Sequence, residues 1–389
     1  MKRLLWLCTH RTQWREEVPL LLQAGFEVIP VSKSHQLYPF EEQQGDPYYV
    51  QTWRRNCTLP KKTVRRIREV NWFYDAPPDS LRLVEKAFDG VIINSFLDTV
   101  LRFAWWFPKP IFYRVFGRGA DPCYTQFYGM ATVQELHETN AYRQGLYHWC
   151  PILPTLSEPE HEILTHGEVL LEPFVSLDRL PARWHCEESQ PYVSMVLSRI
   201  LLVDYFMNLY RRISTAFCSS SAPLPLRILG QNPSGGGFLR DPHILGTLPD
   251  AEYFGTLAQS RVYFYEGTTK VHLHWSVWEA FGMGIPVVML ETSYPAWAIR
   301  QFAGPTADGE FGIVRDFDEG RELLLQCLKD SSVACAIARR QQPLVKYITD
   351  RDAAVNQYRE RLEAVVGPTN SDRYSNPIKR WARRMLSVR

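Results

Sequence analysis

Short apolar runs alternate with amphipathic stretches along almost the whole chain. The apolar runs of the first half cover residues 4–8, 27–31, 91–94, 111–113 and 169–171. Those of the second half cover residues 192–197, 226–230, 262–265 and 287–290. Helical patterns stand between the runs, as at residues 16–24, 204–217, 251–258 and 276–283. This alternation predicts an α/β fold in which helices cover parallel sheets.

The length predicts two domains. The chain has 389 residues, 45% of them hydrophobic and 22% charged, which is ordinary for a folded protein but long for a single hydrophobic core. The polar stretch 186–191 separates the two sets of runs. We therefore expect two doubly wound domains, residues 1–186 and 187–366, followed by a basic tail at 367–389. Ligands of such sheets bind at the carboxyl ends of the strands.

Charge and cysteine spacing exclude several classes of protein. The formal net charge is only +2, so no global field favours a nucleic acid or a membrane. No apolar stretch reaches the roughly 20 residues that span a bilayer, and the run after Met1 ends at Cys8, too early for a signal peptide. The eight cysteines form no Cys-x-x-Cys pair, which indicates reduced thiols in a cytoplasmic protein and no zinc site.

The most informative segment lies in the second half. A strand at 262–265 is followed by a polar loop at 266–274 and by a helix that begins near Ser276 and carries Glu279. This order places the free N–H groups of a helix beside the carboxyl end of a strand, an anion site suited to a diphosphate. Glu279, about one turn into the helix, is expected to accept hydrogen bonds from ribose hydroxyls.

The same segment resembles the donor-binding domain of GT-B glycosyltransferases, retaining family 4 in particular. Residues 278–288, Trp-Glu-Ala-Phe-Gly-Met-Gly-Ile-Pro-Val-Val, match the second half of that family's Glu-x7-Glu motif and the turn after it. The strand that ends at Gly230, the segment 244–249 and the segment 311–328 are similar to further parts of the domain. The resemblance implies transfer of a sugar from a nucleoside diphosphate sugar, with retention of anomeric configuration and without a metal. It also implies that residues 1–186 form the acceptor side and that the C-terminal helix returns to the first domain.

The resemblance carries over to site residues, with departures. Val271 stands where the family has the first glutamate, which contacts the donor sugar, and the lysine expected within 200–206 is missing. Arg199 stands where the family binds phosphate, and the residues available to replace the missing contacts are Lys270, His272, His274 and Glu266. The predicted donor-binding residues are Arg199, Gly230, Lys270, His272, His274, Ser276 and Glu279. The predicted acceptor-binding residues are Arg114 and Arg118, and the catalytic candidates are His10, Arg199 and His272.

One short segment has the form of a metal-binding motif, but we do not predict that it binds a metal. Asp316-Phe317-Asp318 has the Asp-x-Asp form that binds metals in the other glycosyltransferase fold. Because Asp318 directly precedes a helical pattern at 319–328, we interpret Asp318 as a helix cap. We predict no metal and no cofactor other than the nucleotide sugar as co-substrate.

Two basic stretches bear on the acceptor. The first, residues 53–68, suits a phosphate-bearing acceptor, and the second opens at Asn376-Pro377 with apolar residues on one face of a basic helix. That helix would lie on an anionic membrane or pack on the first domain. We expect a cell-envelope glycan or lipid-linked saccharide as acceptor, handled in the cytoplasm or at the inner membrane face. The alternatives are a polynucleotide glycosyltransferase and a non-catalytic binding or scaffold protein.

Overall fold

The structure, a computed structural model, describes two compact units. It covers residues 2–8, 11–32, 58–70, 72, 78–94, 107–117, 123–218, 223–304 and 308–368. The first unit is drawn from Met1–Phe116, Asp121–Phe174 and Arg351–Arg389. The second is drawn from Gly117–Ala120 and Val175–Asp350. Among the described helices, none combines the length and the apolar character needed to cross a membrane.

The first unit is built on a parallel sheet of five strands in the order β2-β1-β3-β4-β5. The strands are β1 (Arg3–Cys8), β2 (Glu27–Ser32), β3 (Gly90–Asn94), β4 (Ile111–Val115) and β5 (Tyr147–Pro151). The helices between them are α1 (Arg11–Gln23), α2 (Lys61–Glu69), α3 (Pro78–Ala87), α4 (Tyr124–Tyr128), α5 (Met130–Glu138) and α6 (Asn140–Arg143). Strands β3 and β4 are buried along their whole length, which explains why they consist almost entirely of apolar residues.

One predicted strand of this sheet was wrong. The prediction placed the last strand at residues 169–171, whereas the structure forms β5 from Tyr147–Pro151. The predicted run lies beside β5 without being a strand, because Val169 N donates to Trp149 O and Leu171 N donates to Pro151 O. His148 interrupts the apolar pattern of β5, so the continuous Val-Leu-Leu run gave the stronger sequence signal.

The second unit contains a parallel sheet of six strands in the order β11-β10-β9-β6-β7-β8. Its strands are β6 (Gln190–Val196), β7 (Leu226–Leu229), β8 (Ile244–Gly246), β9 (Ser260–Tyr265), β10 (Val287–Leu290) and β11 (Ile313–Val314). Its helices are α7 (Asp204–Cys218), α8 (Asp250–Gln259), α9 (Trp275–Met283), α10 (Tyr294–Ala303), α11 (Phe317–Lys329), α12 (Ser331–Arg340) and α13 (Gln342–Thr349). The predicted alternation of strands and helices in this half is confirmed.

The last described helix belongs to the first unit. Helix α14 (Arg351–Val366) buries Tyr358 and Leu362 in the same apolar cluster as residues of α1 and β1. Gln357 adds polar contacts, since its amide oxygen accepts from Glu172 N at 2.9 Å. Helix α14 therefore joins the first unit, with a boundary at residues 350 and 351, whereas the sequence prediction placed residues 351–366 in the second domain. The basic helix predicted to open at Asn376 lies outside the described residues.

The cysteines correct the expectation of reduced thiols. Cys186 and Cys335 form a disulfide within the second unit, with 5.9 Å between their Cα atoms and a sequence separation of 149. Such a pair is invisible to a search for closely spaced cysteines. Cys150 is buried as a free thiol, and burial raises its pKa to about 12.

Candidate active site

The carboxyl edge of the second sheet gathers most of the predicted residues. Strands β9, β6 and β7 are neighbours and parallel, so the loops that follow them begin side by side. Arg199 lies in the loop after β6, Gly230 after β7, and the residues 266–274 after β9. Two contacts join α7, the helix after the first loop, to the third loop: the Tyr205 hydroxyl lies 3.3 Å from Thr268 Oγ1, and the ring centroids of Phe206 and His274 are 5.6 Å apart.

Arg199 occupies a braced turn with an unusual backbone. Its φ angle is 58°, in the left-handed region that residues with a side chain rarely adopt. The side-chain amide of Asn232 clamps the turn, because it donates to Leu197 O at 2.6 Å and accepts from Ile200 N at 2.9 Å. The Arg199 side chain reaches Gln231 Oε1 at 3.4 Å on the exposed side of the turn.

Gly230 is required by the close approach of this same turn. Its φ angle is 130°, and a Cβ atom there would lie 2.7 Å from Leu197 O and 2.8 Å from Ser198 Oγ. A larger residue at this position would push the two loops apart. The structure therefore brings Gly230 beside Arg199 and gives it a role in shaping the edge.

The start of α9 is arranged to receive an anion. Its N-cap residue, His274, makes no side-chain capping bond, so the first N–H groups of the helix are not capped by that side chain. Ser276, in the first turn, accepts from the Tyr263 hydroxyl at 3.2 Å. The helix dipole adds positive character at this end, which favours a phosphate.

Glu279 is held in place by two partners that sequence reasoning missed. Its side chain is 6% exposed, with Oε1 2.8 Å from Arg179 Nη2 and Oε2 accepting from the Tyr253 hydroxyl at 3.0 Å. Burial, and then the nearby Glu279 charge, raise the pKa of Tyr253 well above its usual value. Tyr253 therefore remains a neutral donor to the carboxylate. Each oxygen keeps a further lone pair for a ligand hydroxyl.

The loop 266–274 brings its polar side chains together. His272 is buried and its ring centroid lies 4.6 Å from that of His274, in an edge-to-face arrangement. His274 Nδ1 contacts Glu266 Oε1. Lys270 is half-buried on the same loop. Gly267 lets the chain pass over Tyr265, because a Cβ atom there would lie 2.4 Å from that ring. The Glu266–His274 pairing was not predicted.

In the first unit, Arg114 is buried rather than presented to a ligand. Only 1% exposed, it binds the Glu17 carboxylate at 2.7 and 3.1 Å, donates to Pro151 O at 2.8 Å, and donates to the Tyr358 hydroxyl at 3.2 Å. Burial lowers the pKa of Arg114, but the Glu17 charge and hydrogen bond, together with Tyr358 and Cys150, outweigh burial and hold the pKa above the usual arginine value. These contacts give it a structural role. His10 and Arg118 lie outside the described residues.

The imitated metal motif caps a helix, but the capping residue is Asp316 and not Asp318 as predicted, because the helix begins at Phe317. Asp316 precedes α11, and its carboxylate accepts from the backbone N–H groups of Asp318 and Glu319 at 3.1 and 2.9 Å. Within the described part of the chain, no group of three or more His, Cys, Asp or Glu side chains is arranged to hold a metal.

Comparison with known proteins adds information on the fold. No protein-family model and no curated protein sequence matches the chain. Among solved structures, HepE from Anabaena in complex with UDP is similar to it with a TM-score of 0.61 and 11% identity, over 94% of this chain and 100% of HepE. The chain has the GT-B fold.

Two further structures share this fold. Sucrose-phosphate synthase from Thermosynechococcus elongatus is similar with a TM-score of 0.56 and 12% identity, over 94% of this chain and 100% of the synthase. A glycosyltransferase from Rickettsia africae has a TM-score of 0.55 and 10% identity, over 94% of this chain and 98% of its own. These identities are too low to carry residue roles across. The particular likeness to family 4 remains a prediction.

Proposed function

We propose that this protein is a glycosyltransferase that moves a sugar from a nucleoside diphosphate sugar to an acceptor. The observation that carries the proposal is the start of α9, whose N–H groups are not capped by the side chain of His274. The clamped turn of Arg199 lies at the same edge of the sheet in a GT-B fold. HepE, which shares the fold, holds UDP. A diphosphate matches the positive character of a helix N-terminus and an arginine.

Each part of the edge has a distinct role in this proposal. The diphosphate lies at the start of α9 near Ser276 and is neutralised by Arg199, and Glu279 accepts from the ribose hydroxyls. Lys270 and His272 contact the donor sugar in place of the carboxylate that Val271 lacks. The glycosyl bond to phosphate breaks as a new bond to the acceptor oxygen forms, with retention of configuration and without a metal. The protein thereby stabilises charge on the leaving group electrostatically.

The decisive test is a melting experiment with a panel of nucleotides and nucleotide sugars. A ligand present at 100 times its dissociation constant adds about 2.7 kcal/mol to the free energy of unfolding, which is easily seen. We expect one nucleoside diphosphate to raise the melting temperature selectively. Glu279→Gln should accept from Arg179 through its amide oxygen and donate its amide N–H to the Tyr253 hydroxyl, but bind that nucleotide about tenfold more weakly, since a charged acceptor is lost.

The matched control for this test is Glu252→Gln. Glu252 is an exposed carboxylate on α8, one residue from Tyr253, and its loss should leave nucleotide affinity unchanged. Equal affinity of both variants would show that Glu279 does not bind the nucleotide. The absence of a melting shift with every nucleotide would contradict the proposed function.

For the acceptor, we propose a cell-envelope glycan or a lipid-linked saccharide, modified in the cytoplasm or at the inner membrane face. The basic tail from Asn376 onward, which lies outside the described residues, would contact the anionic surface. Flotation of the full chain with anionic vesicles tests this, and removal of residues 376–389 should abolish it. Unchanged flotation after the removal would show that the tail does not bind the vesicles.

A polynucleotide acceptor is the second candidate, and α2 favours it. Val64 and Ile67 are buried in this helix, while Lys61, Lys62, Arg65 and Arg66 are exposed on its other face. A phosphate backbone would bind such a face with affinity that falls steeply with salt. Affinity for duplex DNA can be measured in salt between about 50 and 200 mM. For six phosphate contacts, it should fall roughly 10³-fold or more over this range. This salt dependence separates a polynucleotide acceptor from a glycan.

A non-catalytic binding or scaffold protein is the third reading, motivated by Val271 and by the missing phosphate lysine. Hydrolysis or transfer of any nucleotide sugar by the purified protein would exclude it. Nucleotide binding without turnover across all donors and acceptors would support it.

A further inference from the structure

A carboxylate and an imidazole are in direct contact at the start of α9. Glu266 follows the last residue of β9 and is fully buried, whereas His274 is the N-cap residue of α9 and its side chain is 20% exposed. Glu266 Oε1 contacts His274 Nδ1. The carboxylate therefore lies behind the imidazole, and the imidazole is the member that a ligand can reach.

The burial of Glu266 makes His274 an obligatory partner. Its second oxygen, Oε2, is also buried and has no hydrogen-bond partner among the described residues. An ionised carboxylate in such a site is costly unless an opposite charge compensates it. The neighbouring Tyr205, Tyr263 and Tyr265 do not compensate the carboxylate, since burial raises the pKa values of these phenols. Lys270, half-buried on the same loop, is a further basic residue near the pair in sequence.

The ring of His274 is fixed from several sides. The Phe206 ring lies 5.6 Å away on α7, and the His272 ring lies 4.6 Å away, nearly perpendicular. The backbone N–H of His274 donates to the Tyr265 hydroxyl at 3.2 Å. With Nδ1 turned to Glu266, the remaining ring nitrogen is Nε2. When both ring nitrogens carry a proton, the carboxylate accepts from Nδ1 and holds the ring in the orientation in which Nε2 can donate to a ligand.

We propose that His274, protonated on both ring nitrogens beside the buried Glu266 carboxylate, donates a hydrogen bond from Nε2 to the leaving diphosphate and that Glu266 is its positioning residue. The inference rests on the proposed glycosyl transfer and adds the group that receives the leaving-group charge. The bond between the anomeric carbon and the phosphate oxygen breaks, and its electron pair goes to that oxygen. The acceptor oxygen bonds to the anomeric carbon, and the acceptor proton passes to the departing phosphate. His274 gives up no proton over the cycle.

This role differs from simple donor binding in a measurable way. Negative charge on the phosphate oxygen grows between the bound nucleotide sugar and the transition state. A hydrogen-bond donor directed at that oxygen therefore acts mainly on kcat. We expect His274→Ala to lower kcat by about 100-fold while the KM for the donor changes less than about threefold. Free imidazole should restore about tenfold of the loss, because the cavity left by the substitution accepts it.

Glu266 variants separate positioning from general structural damage. Glu266→Gln keeps a hydrogen-bond acceptor for Nδ1 and should lose less kcat than Glu266→Ala. Neither should respond to free imidazole, because both retain His274. Should His274→Ala fail to fold with its carboxylate unpaired, the double variant Glu266→Gln with His274→Gln removes both charges together and should fold with the kcat of the single His274 variants.

The matched control is His185→Ala, an exposed histidine of the same unit. Its kcat should equal that of the unmodified protein. Binding is followed separately as the melting shift given by inorganic pyrophosphate, which carries no base and needs no turnover. We expect the shift to persist in Glu266→Gln.

The outcomes separate the two proposals. Turnover by His274→Ala within about threefold of the unmodified protein would overturn the His274 assignment and leave the transferase intact. Rescue of Glu266→Ala by imidazole would overturn the positioning role. An unmodified protein that neither turns over nucleotide sugars nor shifts with pyrophosphate would overturn the proposed function and this inference together.

Discussion

At the scale of single residues, the backbone of Arg199 is the clearest sign of a built site. A left-handed φ of 58° costs a residue with a side chain about 1–2 kcal/mol. Its surroundings enforce the conformation, because Asn232 clamps the turn from both sides and Arg199 N donates to Gln231 O at 3.1 Å. Such strain persists mainly where a side chain must be held in one place. It supports the prediction that Arg199 contacts phosphate.

Replacement of Arg199 by glycine separates stability from function. Glycine adopts this φ without strain, so Arg199→Gly should raise the free energy of unfolding by about 1 kcal/mol. The same variant should lose the melting shift given by pyrophosphate, because the guanidinium is gone. Chemical denaturation and the pyrophosphate titration check the two effects. Arg199→Lys, which keeps a charge and the strained backbone, is the control for both. A destabilised glycine variant with full pyrophosphate binding would contradict both arguments.

At the scale of elements, the disulfide joins two pieces that are distant in sequence. Cys186 lies in a short 3-10 turn, Cys186–Glu188, just before β6, and Cys335 lies in α12. The turn has few other ties, although Ser189 Oγ donates to Cys186 O at 2.6 Å. The cross-link spans a sequence separation of 149 and closes a loop that contains most of the second unit. Long loops gain the most from such closure, because the unfolded chain loses the most freedom.

Loss of this cross-link should be measurable. Cys186→Ser or Cys335→Ser should lower the free energy of unfolding by about 2–5 kcal/mol under non-reducing conditions. A reductant should destabilise the unmodified protein by the same amount and leave the variants unchanged. Cys327→Ser, at a buried free thiol on α11, is the control that stays insensitive to reductant. Equal stability of the unmodified protein with and without reductant would show that the bond contributes nothing.

The order of elements could be predicted from the sequence, whereas pairings between distant residues could not. Periodic apolar runs revealed β6, β9 and α9 because each run reflects local burial. The start of α11 was equally local, although the sequence did not single out Asp316 as its cap. By contrast, the partners Glu266 with His274, Arg179 with Glu279, and Cys186 with Cys335 meet only once the sheet is assembled. Gly267 is the one sequence feature that indicates the inward direction of Glu266, because a glycine allows the loop to pass close to Tyr265.

At the scale of the whole molecule, the chain returns to its first unit after completing the second. Helix α14 supplies Tyr358, which is fully buried and whose hydroxyl accepts from Arg114 Nη2 at 3.2 Å. The Arg114–Glu17 pair is itself buried, so the hydroxyl of Tyr358 provides a hydrogen bond to a guanidinium that water does not reach. Burial raises the pKa of Tyr358 well above its usual value, which keeps it neutral. The first unit is therefore complete only when the chain includes α14, the last of the described helices.

Substitutions in α14 should consequently weaken the first unit although they lie beyond the second in sequence. Tyr358→Ala should lower the free energy of unfolding by about 3–5 kcal/mol, because a large buried ring is lost and the Arg114 hydrogen bond with it. Tyr358→Phe should cost about 1 kcal/mol, the hydrogen bond alone. Glu360→Ala, at an exposed position of the same helix, should cost almost nothing.

Hydrogen exchange localises the effect. In Tyr358→Ala the amides of β1 and β4 should lose protection more than those of β6 and β9, because α14 packs in the core of the first sheet and not in that of the second. Uniform loss across both sheets would mean that the two units unfold as one cooperative body. Unchanged protection of β1 would mean that α14 does not complete the first unit. In that case, contacts among residues before 175 would be sufficient to stabilise the first sheet.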